Sequence, residues 1–99
     1  MVFGTDEHPE VATSLHELAG VLKAQGDLPG ARAKLERAVD HLRSSAMDDR
    51  DTLVRLRVIL YNLAGYYSQA GRWDDAVAAF EEVVAMDEQT RSRGSRIGP

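Results

Sequence analysis

The chain has 99 residues, 43% of them hydrophobic and 28% charged, and carries 12 Lys and Arg against 16 Asp and Glu for a net charge of -4, which fits one small domain. No window approaches the roughly 18 uninterrupted apolar residues of a membrane span, the opening Met1-Val2-Phe3-Gly4-Thr5-Asp6-Glu7 has neither the basic start nor the apolar core of a secretion signal, and the lack of cysteine excludes disulfides, thiolate metal sites and a thiol nucleophile. A cytoplasmic protein without membrane contact is expected, and its acidic body, net -2 over residues 1–47 and -4 over 48–87, lacks the clustered cations that release counterions from nucleic acid.

Helical spacing of apolar residues dominates the chain, and strand-like alternation is absent. The first helix is predicted from Pro9 to Gln25, with Pro9 in its first turn and Gly26 as the left-handed residue that ends it. Asp27 caps the second, which runs from Leu28-Pro29-Gly30 to Leu42 or Arg43. Ser44-Ser45-Ala46-Met47-Asp48-Asp49 is a polar joint, and the third helix follows from Asp51 to Ala70, stopping at Gly71. The fourth starts at Arg72-Trp73-Asp74-Asp75, where two carboxylates meet the positive end of the helix dipole, and is predicted to fade after Met86-Asp87-Glu88. Residues 89–99 read as a polar basic tail with Arg91, Arg93 and Arg96.

The chain repeats itself. Shifted by 45 residues, Leu15, Leu18, Ala19, Gly20, Gly26, Ala31, Ala33, Glu36 and Val39 fall on Leu60, Leu63, Ala64, Gly65, Gly71, Ala76, Ala78, Glu81 and Val84, with Leu22 over Tyr67 and Leu35 over Phe80. Large residues in step define a buried stripe, expected to hold Leu15, Leu18 and Leu22 in the first copy, and small ones mark where two helix axes approach closely. Trp73, Tyr66 and Phe80 are read as core rather than as a stacking platform for bases.

These residues resemble the tetratricopeptide repeat. Leu15-x-x-Leu18-Ala19-x-x-Leu22, Gly26, Ala31-x-x-x-Leu35 and Ala38 fit the first copy of its pattern, and Leu60-x-x-Leu63-Ala64-x-x-Tyr67, Gly71, Ala76-x-x-x-Phe80 and Val83 fit the second. Leu replaces the leading aromatic and Ala the paired Gly, while Arg43 and Glu88 stand where a repeat often ends in Pro. The opening Phe3-Gly4-Thr5-Asp6-Glu7-His8-Pro9 looks like the joint of the long-period variety found in kinesin light chains and many bacterial regulatory proteins. The resemblance implies an all-α fold of two helix-turn-helix repeats, four antiparallel helices over residues 1–88, with repeats at about 9–43 and 51–88.

It also implies a non-catalytic protein interaction module whose groove, lined by the first helix of each pair, takes a peptide or partner helix. The face beside the buried stripe supplies the groove candidates: Thr13, His16, Gly20 and Lys23 on the first helix, and Val58, Tyr61, Gly65 and Ser68 with Asn62 and Gln69 on the third. Chaperone-binding members resemble one another in a carboxylate clamp of Lys and Asn. Here Asn62 suits it, but His16 and Gly20 replace two of its residues.

No cofactor or metal is expected, since Gly20 occupies the place of the second His that a zinc helix starting His16-Glu17 needs. The adjacent acids Asp48-Asp49, Asp74-Asp75 and Glu81-Glu82 point in different directions and make no acid/base pair. A rival reading is structural self-association, and a further one, a nucleic-acid-binding helical domain, is disfavoured by charge. Stacked repeats bury their core against neighbours, and the polar segment after the fourth helix supplies no cap, so Phe80, Val83, Val84 and Met86 are expected to keep an apolar face for a second copy or for further repeats of a longer array. Ten Arg against two Lys suggest a GC-rich bacterial source.

Overall fold

A computed structural model describes residues 9–44 and 50–97. Four helices account for their regular structure: α1 (Pro9–Ala24), α2 (Leu28–Arg43), α3 (Arg50–Gln69) and α4 (Trp73–Ile97). Two glycine turns fold them into antiparallel pairs. Gly26 and Gly71 adopt φ of 87° and 75°, a left-handed conformation that costs other residues a clash between Cβ and the backbone. Each turn closes with the same two bonds: Gly26 N–H to Lys23 O (2.9 Å) and Asp27 N–H to Leu22 O (2.8 Å), then Gly71 N–H to Ser68 O (3.0 Å) and Arg72 N–H to Tyr67 O (2.9 Å). These satisfy carbonyls that the helix end leaves unpaired. The 45-residue repeat of the sequence is thus a repeat of backbone geometry.

The first three helices end within a residue of the sequence expectation. The fourth does not fade at Glu88 but continues to Ile97. Gln89, Arg91, Arg93 and Arg96 have helix propensities near that of alanine, and the single Gly94 costs only about 1 kcal/mol, so a preformed helix propagates through them. The opening Phe3-to-His8 motif, most of the joint after α2 including Asp48-Asp49, and His8 lie outside the described residues.

Helix α1 packs on α2, α2 on α3 and α3 on α4. One core runs through the stack, from Ala12, Leu15 and Ala19 through Leu35, Ala38, Val39 and Leu42 to Leu56, Ile59, Leu60, Leu63 and Val83. Two polar contacts tie the second-repeat helices back to α2. Tyr67 Oη donates to Glu36 Oε2 at 2.7 Å, and Arg43 Nη2 donates to both Glu82 carboxylate oxygens at 2.6 and 2.8 Å.

Three expectations about burial need correction. Leu18 is 42% exposed, whereas its repeat partner Leu63 is 4% exposed. Trp73 stands in solvent and Phe80 is 39% exposed, whereas Leu35, the partner of Phe80, is 1% exposed. Val83, expected at an open face, is buried in the core, and Met86 packs partly against it. One cause accounts for Leu18 and Phe80. Among the described residues no helix precedes the α1 face bearing Leu18 and none follows the α4 face bearing Phe80, while α2 and α3 cover the matching positions of one another. Trp73, one residue past the second turn, lies on the same open face of α4.

Candidate functional site

The groove residues on α1 meet α3. Arg55 Nη1 donates to Thr13 Oγ1, Asn62 Nδ2 donates to His16 Nε2 at 3.0 Å, and the Lys23 ammonium lies 5.8 Å from the centre of the Tyr66 ring. Thr13, His16 and Lys23 recur at spacings of three and seven, which puts them on one helix face. Their three partners on α3 share a face for the same reason. This side of the pair is therefore stitched by polar contacts worth little individually at their exposure, which fix the register of α1 against α3.

The remaining candidates lie on the outward face of α3. Val58 and Tyr61 are exposed, and Gly65 has open space where a side chain would begin, as does Gly20 on α1. Ser68 is half-buried and Gln69 is exposed. Sequence reasoning missed Val54, also exposed, although Val54, Val58, Tyr61 and Gly65 follow one another at helical spacing and so form one strip. It also missed Val77, which joins Trp73, Phe80 and Val84 in an exposed stripe along α4 at spacings of four, three and four. The two strips meet where the Tyr61 and Phe80 rings contact edge to face, 5.8 Å between centroids at 71°, the favoured geometry for an aromatic pair.

Tyr66 and Tyr67, whose titration is shifted, sit side by side on α3, the first toward α1 and the second toward α2. Burial pushes the Tyr67 phenol up to about 12, helped by its hydrogen bond to the Glu36 carboxylate, which the neutral phenol alone can make. The Arg72 guanidinium, 4.9 Å from the Tyr67 ring centre, opposes that rise. Burial also raises the Tyr66 phenol. Both tyrosines serve helix packing. Among the described residues no three His, Asp or Glu side chains gather to hold a metal ion, and no described helix is long and apolar enough to cross a membrane.

Paired antiparallel helices, repeated left-handed glycine turns and a core continuous across both pairs define a helical-repeat protein. The tetratricopeptide repeat pattern matches residues 10–89, and the chain belongs to that family. No curated protein and no solved structure matches the chain. Tetratricopeptide repeats are a non-catalytic fold that generally mediates protein–protein interaction.

Proposed function

We propose that this chain is a protein interaction module that receives a peptide or a partner helix on the outward face of α1 and α3. The observation that carries this reading is the exposed strip Val54, Val58 and Tyr61 on α3, apolar area that the core does not use, beside two glycines where backbone can approach closely. Asn62 and His16, paired to each other across the two helices, offer hydrogen bonds at its border, and Gly20, Lys23, Ser68 and Gln69 complete it. The 45-residue offset supports the long-period variety of the family. Affinity capture from the source extract tests the groove. Proteins held by the native chain and lost with both Tyr61→Ala and Gly65→Arg, at unchanged helicity and Tm, support it, and an unchanged set of captured proteins refutes it.

Self-association is the second reading, favoured by exposed apolar residues at both ends of the stack: Leu18 and Val21 on α1, Phe80 and Val84 on α4. Light scattering decides it, because a 10.9 kDa species at tens of micromolar, with melting independent of concentration, rejects it.

A further inference from the structure

The internal joint between the repeats describes a second seat at the far edge of the molecule. Helix α3 rests on two surfaces: the α1 side formed by Thr13, His16 and Lys23, and α2, whose Val39 borders the same cleft as Leu60 and Leu63. Advanced by 45 residues, these positions become Val58, Tyr61 and Ser68 on α3 and Val84 on α4. Val39 is 6% exposed under α3, and Val84 is 52% exposed. The Tyr61–Phe80 contact joins the two halves into one surface, which has the form of a seat for a fifth helix. Thr13 and His16 are replaced there by Val58 and Tyr61, so the seat is more apolar than the one α3 fills.

Its rim is acidic. Asp74, Glu81 and Glu88 recur every seven residues along α4, on one face bordering the stripe of Trp73, Val77, Phe80 and Val84. All three are exposed, and none pairs with a described residue. Glu81 is the repeat partner of Glu36, the carboxylate that accepts a hydrogen bond from the helix seated in the first joint. We propose that this edge docks an amphipathic helix of another protein, apolar toward Val58, Tyr61, Phe80 and Val84 and basic toward Asp74, Glu81 and Glu88. A second copy of this chain fits poorly. In the same register its Leu22, which has no donor, would face Glu81 in place of the Tyr67 hydroxyl. The Arg43–Glu82 pair of the first joint would recur reversed as Glu88 with its Arg37, a cation for one of the three rim acids where a basic helix supplies all three. The seat shares Val58, Tyr61 and Ser68 with the groove proposed above but lies across α4 and stands without it.

Trp73 is the chain's one tryptophan and stands in this stripe, so its emission reports occupancy. The probes are synthetic helices of about 20 residues, long enough to hold helical structure, free of Trp, with one apolar stripe flanked by either Lys or Glu at seven-residue intervals. The Lys-flanked helix is expected to shift Trp73 emission to the blue saturably and to bind at least about tenfold tighter than the Glu-flanked one at low salt, with the preference shrinking as salt is added. Val84→Glu should weaken that binding by about tenfold or more, Glu81→Lys should erase the charge preference, and Val21→Glu, on the opposite end, should change nothing. Because Val84 is half exposed, Val84→Glu should keep native helicity, and Val77→Glu provides an independent variant of the same stripe. Unresponsive Trp73 emission, or equal affinity for the two helices, overturns the proposal. So does a stable dimer that Val84→Glu converts to monomer, since the occupant is then a second copy. Gly65→Arg separates this seat from the groove: if it alone blocks the probe while Val84→Glu does not, the helix lies in the groove and the edge assignment is wrong.

Discussion

Leu18 and Leu63 are the same residue at matching positions of the two repeats, and truncating each to alanine should give different losses. Leu63 is 4% exposed in the core, so Leu63→Ala loses the transfer energy of its methyl groups and leaves a cavity that neighbours fill only in part, about 2–5 kcal/mol together. Leu18 already keeps 42% of its surface in water. Its truncation forfeits roughly half of a full side-chain burial, about 1 kcal/mol, and water enters the space at no cavity cost. Against a total stability of about 5–15 kcal/mol, both changes are measurable without abolishing the fold. Urea unfolding followed by far-ultraviolet circular dichroism, with a slope of about 1–3 kcal/mol per molar, should lower the midpoint at least twice as far for Leu63→Ala as for Leu18→Ala. Equal shifts would refute the reasoning, because Leu18 would then be covered in solution. Repeating the Leu18→Ala measurement over a range of protein concentrations identifies the cover: a midpoint that rises with concentration means that another copy supplies it.

Gly26→Ala and Gly71→Ala should each cost about 1–2 kcal/mol, because both positions hold φ near +80°; loss at one turn only would show that the two turns are not equivalent in solution. Asp27→Ala should cost about 0.5–2 kcal/mol by removing the cap bond that Gly30 N–H donates to Asp27 Oδ1 (2.9 Å). A Cβ at position 30 would run into that carboxylate, so Gly30→Ala should destabilise the native chain yet become neutral or stabilising beside Asp27→Ala, and additive losses in the double-mutant cycle would refute this coupling. Tyr67 in the folded chain stays protonated up to about 12 against about 10 when unfolded, so the folded state holds one more proton between these values and stability falls as pH rises through that window. Because Tyr67 is only partly buried at the edge of the core, solvent screening discounts the effect to about 1 kcal/mol. Tyr67→Phe should remove this alkaline loss from the Tm-versus-pH profile, and an unchanged profile would exclude Tyr67 as its source.

The fold was legible because its determinants are local. A glycine that must adopt a left-handed conformation, a cap at Asp27 and a proline in the opening turn of α2 act within a few residues, and each lies where the sequence places it. The end of α4 was not legible. A terminus of this kind is set by a sum of small propensities over Gln89 to Ile97, with no single residue that forbids the helix, and no stop signal stronger than Gly94.

Burial at the two ends failed for a different reason. Leu18 and Leu63, Leu35 and Phe80, and Val39 and Val84 occupy equivalent places in one periodic pattern, so no analysis of periodicity separates the members of each pair. What separates them is whether a helix lies on the adjoining side, a property of the stack and not of the residue. Thr13, His16 and Lys23 show the same dependence in the site. Read alone they are a free groove face, but the next repeat brings Arg55, Asn62 and Tyr66 against them. By that logic Val58, Tyr61 and Ser68 mark where the stack would accept one helix more, and the acidic row along α4 gives that position a charge preference absent from the joint α3 already fills.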